Sequence, residues 1–197
     1  INYERQLFYK QKQVVDNLER IGGLKLPEIK PILPSGKTRY YRNRLDFTFS
    51  AERWRTKEEM ATAAIEGFGP PRPALGFHIP RMYDKVFNVE ECHLQSDPSN
   101  AIRLAVKETA LQEGIDFFDL RKQIGFLRSL TIRTANTGEV MTILQVAYER
   151  MEWIECILDM LSMRFPQITS NNYIITGKRN DTFSDLDIVC CKGKSYI

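Results

Sequence analysis

Long apolar runs are missing from this sequence. Its hydrophobic stretches are a few residues long, against the roughly 20 needed to span a bilayer as a helix, so no membrane partner is expected. No basic-then-apolar leader opens the chain, which removes the argument for secretion and leaves a cytoplasmic location as the expectation. Histidine is scarce: His78 and His93 are the only two, and neither stands with Ser, Asp or Glu in a recognisable nucleophile motif. Cys92, Cys156, Cys190 and Cys191 include no pair at the spacing of a zinc ribbon or a redox motif. A phosphate-cradling loop is absent too, because Gly67-Phe68-Gly69 runs into prolines instead of leading from a strand into a helix. Internal repeats and low-complexity tracts are likewise absent. Net charge is low, at +3, and such a total attracts nucleic acid only if it is clustered.

What is present can fold. The 197 residues are 43% hydrophobic and 11% aromatic, enough for a buried core. Leu7, Val14, Leu18 and Ile21 fall on one face of a lead-in helix over residues 1–23, which Gly22-Gly23 stops. Pro27, Pro31 and Pro34 mark a connector. From Tyr40 the period becomes two: Leu45, Phe47 and Phe49 point one way, and Arg42, Arg44, Asp46 and Thr48 the other. Residues 52–73 form a polar interruption, expected as a loop insertion. Leu75 to Ile79 and Val86 to Glu90 continue as strands. A helix carries Ile102, Val106 and Ala110, and two strands flank the short connection Ala135-Asn136-Thr137-Gly138. Ile154, Ile157, Leu158, Leu161 and Phe165 form an amphipathic helix, with two further strands at Tyr173 to Thr176 and Asp187 to Cys191. Strands in runs favour an α+β fold: a largely antiparallel sheet with about three flanking helices, in one domain over 1–197.

Charge is concentrated in one place. Between Ser35 and Arg55 lie Lys37, Arg39, Arg42, Arg44, Arg53 and Arg55 against Asp46 and Glu52, six cations and two acids, for a local +4. Tyr40 and Tyr41 interleave with them. Arginine forks onto phosphate and tyrosine stacks on unpaired bases, so the pattern suits single-stranded or looped RNA. The alternative is a solvated strand face with ordinary Arg–Asp pairs. Arg121, Lys122, Arg128 and Arg133 form a second, less specific patch beside Asp119. Cys156 reads as a small buried hydrophobe, and Cys190 and Cys191 point to opposite sides of a strand. Cys92, at a strand end in Glu90-Glu91-Cys92-His93-Leu94-Gln95, cannot hold a metal alone.

Tyr41-Arg42-Asn43-Arg44, Ala74-Leu75-Gly76-Phe77-His78 and Val89-Glu90-Glu91-Cys92-His93-Leu94-Gln95, in that order, resemble the RNA uracil-5-methyltransferases, which make 5-methyluridine in ribosomal or transfer RNA. Leu127 to Arg133 through Thr137 to Met141 continues the likeness, as do Ser170-Asn171-Asn172, Asn180-Asp181-Thr182 and Gly193 to Ile197.

The resemblance implies the central, RNA-facing domain of a longer enzyme, inactive as this piece. The RNA-binding barrel would lie upstream, and the domain that binds S-adenosylmethionine and supplies the catalytic cysteine and carboxylate downstream. A chain that opens inside a helical pattern and stops in an extended one fits that expectation. RNA-contacting residues would be Lys37, Arg39, Tyr41, Arg42 and Arg44. By position Cys92 resembles the fourth ligand of a 4Fe-4S iron–sulfur cluster whose other three cysteines lie upstream, which implies a solvent-reachable thiol here. Pro70-Pro71-Arg72 has Gly69 where the family's catalytic signature has Asp, and it is read as a coincidence in the insertion. A free-standing, non-catalytic RNA-binding or assembly module is the alternative reading. Apolar residues near both termini suit self-association of the piece.

Overall fold

The computed structural model describes residues 1–70, 72–180 and 182–197. Pro71 and Asp181, which fall in two of the motifs above, lie outside the described residues. The chain forms two compact units, Ile1–Tyr41 and Arg42–Ile197.

In the first unit, helix α1 spans Tyr3–Asp16 and is capped by Asn2, whose Oδ1 accepts from the Arg5 amide at 3.0 Å. A π-helical turn over Asn17–Ile21 follows, and Gly23 takes the left-handed conformation (φ +63°), as the double glycine predicts. The connector after it carries no regular element. It folds back along α1, where the Gln11 carboxamide bonds the Ile32 amide (2.9 Å) and the Lys30 carbonyl (3.3 Å). The apolar stripe of α1 buries nothing: Val14 and Ile21 stay exposed.

The second unit is a seven-stranded sheet with the order β3-β2-β1-β4-β5-β6-β7. Its strands are β1 (Arg44–Ser50), β2 (Ala74–Ile79), β3 (Met82–Asn88), β4 (Leu127–Thr134), β5 (Val140–Val146), β6 (Ile168–Ile175) and β7 (Val189–Gly193). Every neighbouring pair is antiparallel except β5 and β6, which run parallel because α4 (Met151–Arg164) carries the chain across between them. The α+β, largely antiparallel architecture is therefore as expected.

Four α-helices are present among the described residues. The additional one is α2 (Lys57–Glu66), inside the stretch expected to be a loop. Thr56 and Glu59 start it with a reciprocal capping box: the Glu59 amide donates to Thr56 Oγ1 (3.2 Å) and the Thr56 amide to Glu59 Oε2 (2.9 Å).

One face of the sheet carries the core. Leu45, Phe47, Phe49, Leu75, Leu130, Ile132 and Leu144 pack against Ile102 and Val106 of α3 (Ser99–Gln112) and against Ile154, Ile157, Leu158 and Leu161 of α4. Each such side chain contributes about 1.5–3 kcal/mol through burial. Gly76 is obligatory at its place in β2, since a Cβ there would collide with the Phe87 carbonyl across the ladder. Gly138 (φ +86°) closes the β4–β5 hairpin. None of these helices is long and apolar enough to cross a membrane.

Candidate nucleic-acid interface

Strand β1 shows how a period of two separates core from surface. Leu45, Phe47 and Phe49 are buried, while Arg44 and Asp46 are exposed on the other side. Arg44 lies against Asp46: Nε is 3.1 Å and 3.2 Å from the two carboxylate oxygens, and Nη2 is 3.1 Å from Oδ1. Register puts Arg44 opposite Arg133, Asp46 opposite Thr131 and Thr48 opposite Ser129. These cross-strand pairs form a polar ladder. Thr131 Oγ1 donates to Asp46 Oδ1 (2.5 Å), Thr48 Oγ1 is 3.2 Å from His78 Nε2, and Ser129 Oγ donates to Gln145 Oε1 (2.6 Å). His78 is thus exposed and hydrogen-bonded, as expected. The Gln145 side chain is buried, and its Nε2 has no hydrogen-bond partner among the described residues.

A loop closes over part of this polar face. Phe183 and Leu186 cover Met141, Ile143 and Ile174 on its apolar end. The Phe183 ring also lies 5.5 Å from the Arg44 guanidinium carbon. Arg128, buried in β4, holds the loop down: its guanidinium donates to the carbonyls of Thr176 (3.4 Å), Lys178 and Asn180 (3.1 Å), and it sits 4.5 Å over the Phe118 ring. Between sheet and loop runs a groove of about 410 Å³, lined by Arg44, Asp46, Thr48, Ser129, Thr182, Phe183 and Ser184. One guanidinium, one aromatic face and a row of hydroxyls can hold a phosphate, stack a base and pair with its edge. Thr182, Phe183 and Ser184 escape a reading by local pattern, because 48 residues separate Arg128 from Thr176, the first of the carbonyls it bonds.

The five residues expected to contact RNA divide between the units. Lys37, Arg39 and Tyr41 are exposed in the first; Arg42 and Arg44 are exposed in the second, where the Arg42 amide donates to the Leu94 carbonyl at 2.9 Å. The second basic patch does not assemble. Arg121 pairs with Asp84, Lys122 reaches Asp119 at 3.5 Å, Arg128 is buried, and Arg133 faces the groove side of the sheet. Burial acts to raise the Asp84 carboxyl pKa, but the bond from Arg121, helped by Lys85, holds it below the usual carboxylate range.

Cys92 corrects the expectation of a solvent-reachable thiol, since it is 6% exposed and part of the core. Its segment is gripped by α3. The Cys92 amide donates to Asn100 Oδ1 (2.9 Å), and Asn100 Nδ2 returns a bond to the Cys92 carbonyl (3.0 Å). Arg103, wholly buried, bonds the Val89 and Glu90 carbonyls (Glu90 at 3.0 Å). Burial pushes its guanidinium pKa down, while Cys92 and Glu90 pull the other way. Ser99 Oγ donates to Gln95 Oε1 (2.6 Å), and Gln95 Nε2 donates to the Ile132 carbonyl (3.2 Å). The motif Val89 to Gln95 therefore acts as a structural clamp.

Among the described residues no three His, Cys, Asp or Glu side chains group as metal ligands, so these residues alone do not fit an iron–sulfur cluster. Gly67 ends α2 instead of opening a helix after a strand, so Gly67-Phe68-Gly69 does not form a nucleotide-cradling loop. Cys156 is half-buried, less than expected, and burial raises its thiol pKa.

No family model matches the chain. A curated relative from Bacteroides thetaiotaomicron, described as an uncharacterized RNA methyltransferase, is 48% identical over 198 residues, covering 99% of this chain and 43% of the relative. A second of the same description, from Porphyromonas gingivalis, is 45% identical over 201 residues, covering 100% of this chain and 43% of its own length. The chain thus spans less than half of either relative. Among solved structures, the crystal structure of Pyrococcus abyssi tRNA (uracil-54, C5)-methyltransferase in complex with S-adenosyl-L-homocysteine matches all of this chain and 40% of its own, with a TM-score of 0.65 and 23% identity. That likeness is one of fold.

Proposed function

We propose, from the premise that this chain belongs to the RNA methyltransferase family of those relatives, that it is the central, RNA-facing part of an S-adenosylmethionine-dependent RNA uracil-5-methyltransferase. The observation that carries the reading is the match along its whole length to proteins described as RNA methyltransferases. The uracil-5 specificity draws on the fold likeness to a tRNA uracil-5-methyltransferase and on the sequence motifs. Ribosomal and transfer RNA are both substrates of enzymes of this type. On this reading the nucleophile, the proton-accepting carboxylate and the methyl donor site lie in the rest of the enzyme; that the chain matches only 43% of each relative supports it. An iron–sulfur cluster would need three thiolates from there as well.

The work of this part is to bind and orient RNA. Arg44 on β1, with Arg42 before it and Arg133 opposite, offers cations to phosphates, and Phe183 offers a face to a base. Asp46 fixes the Arg44 guanidinium in one orientation, which lowers the entropy cost when a phosphate docks. Lys37, Arg39 and Tyr41 supply further contacts from the first unit. The test is methyl transfer by the full-length protein. Labelled S-adenosylmethionine and unmodified RNA should give 5-methyluridine on nucleoside analysis, and the 197-residue chain alone should bind RNA without methylating it. RNA binding by a full-length protein with no methyl transfer would favour the free-standing binding module instead.

A further inference from the structure

The insertion over residues 52–73 builds a second groove away from the β1 face. It is held by backbone bonds at both walls. The Trp54 amide donates to the Val86 carbonyl on β3 (2.7 Å), and the Arg53 amide donates to the Arg72 carbonyl (2.8 Å). Helix α2 is tied to the same wall, because Glu59, which caps the helix, also pairs with Arg53. Its carboxyl lies below the usual range, first through the Thr56 amide and then through Arg53. Arg55 is locked from two sides: Nη2 reaches Glu52 Oε1 (2.8 Å), Nη1 reaches the Phe68 carbonyl (3.0 Å), and its guanidinium carbon is 5.5 Å from the Phe68 ring.

The groove occupies about 500 Å³, within the range of small-ligand sites. Trp54, Phe68, Met60 and Met82 give it apolar walls, and Phe68 is 54% exposed, so much of its ring is open to a ligand. Arg53, Arg55 and Lys85 against Glu52 leave its lining at +2, and each cation has a carboxylate beside it, in Glu59, Glu52 and Asp84 respectively. An aromatic pair with polarisable thioethers beside it and a net positive rim match the chemistry of an unpaired nucleotide. The base has a π-face for the rings, and the phosphate has a charge for the rim.

We propose that this groove binds one unpaired nucleotide of the RNA, with its base against Trp54 and Phe68 and its phosphate toward Arg55 and Lys85. The inference rests on the RNA reading above and adds a binding site outside the β1 face. Stacking carries no counterion release, so it separates from phosphate binding in a salt titration.

The experiment uses the 197-residue chain in a Trp153→Phe background, which leaves Trp54 as the only indole, titrated with a short single-stranded RNA. The expected result is quenching of Trp54 fluorescence on binding. Read by filter binding, Trp54→Ala should weaken binding about five- to a hundredfold with an unchanged salt slope. Trp54→Phe should keep most of the affinity, which separates a stacking role from a folding role. If Trp54→Ala binds as well as its parent while Arg44→Glu still flattens the salt slope, the groove assignment falls and the RNA reading stands. If the parent chain binds no RNA at any salt concentration, both fall together.

Discussion

Thr131 and Asp46 face each other across the β1–β4 ladder, and the threonine hydroxyl donates to the same carboxylate that holds Arg44. Asp46 is therefore shared between a neighbouring strand and a cation on its own. An exposed Arg–Asp pair of this kind contributes little stability, about 0–1 kcal/mol, so its main effect is on where the guanidinium points.

Charge reversal tests that role. Arg44→Glu together with Arg42→Glu should weaken RNA binding. It should also reduce the slope of log affinity against log salt by about 0.7 for each single-strand phosphate that is no longer neutralised. Filter binding at several salt concentrations measures both. Unchanged affinity and slope would remove this face from the interface.

Phe183 should contribute to stability as well as to binding. Truncating a fully buried phenylalanine costs about 3–5 kcal/mol; Phe183 is half-buried, so Phe183→Ala should cost about 1–2 kcal/mol in urea unfolding. It should also weaken RNA binding without moving the salt slope. A variant with normal stability would contradict the packing of this loop on Met141, Ile143 and Ile174.

Asn171 anchors α4 to the sheet. Its Oδ1 accepts from Thr142 Oγ1 (2.6 Å), and its Nδ2 donates to the Leu158 carbonyl (2.9 Å) and Ser162 Oγ (3.2 Å). Asn171→Leu orphans the Thr142 hydroxyl, while Ser162 Oγ and the Leu158 carbonyl keep their bond to each other (2.8 Å); a loss of about 1–3 kcal/mol is expected, the cost of one orphaned buried polar group. Thermal or denaturant unfolding measures it.

The burial of Cys92 predicts the order of thiol labelling. Cys191 is exposed and should react first with a thiol reagent in the native chain, while Cys92 should react only on denaturation. Mass spectrometry after timed alkylation reads the order, and fast native labelling of Cys92 would contradict its packing.

Acid should release the insertion. The Glu59 carboxyl lies below the ordinary glutamate value of 4.5, so the cap it makes is fully present above that pH and is lost as pH falls through the lower, folded value. Trp54 fluorescence in the Trp153→Phe background should shift in that acid range, and Glu59→Gln should abolish the shift. Persistence of the transition in Glu59→Gln would assign it to another group.

Seven strands and three helices were legible from their apolar periodicity, Leu45-Phe47-Phe49 at period two and Ile154 to Phe165 at helical spacing, although the stripe of α1 and the residues of β7 stay out of the core. Helix α2 was not, since Ala63 is its one buried residue and it has no stripe to detect. Its signal was the capping box, Thr56 followed three residues later by Glu59, which stood in the sequence unread. The local cation cluster located Arg44, but its carboxylate partner was legible only as one of two options. The groove's far wall, Thr182 to Ser184, depends on contacts between distant segments, and no local period encodes those. For Cys92 the sequence placed the residue at a strand end; its burial follows from Asn100 and Arg103, one helix away.

The bonds of Arg128 have a consequence for how the groove opens. Its floor is a set of ladder bonds between central strands, which separate only when the whole sheet unfolds. Its roof is held by one guanidinium that gathers the carbonyls of Thr176, Lys178 and Asn180, and by Phe183 and Leu186 on Met141, Ile143 and Ile174. Roof and floor therefore have different opening free energies. Loss of the roof's bonds would thus uncover the groove and leave the sheet beneath it intact.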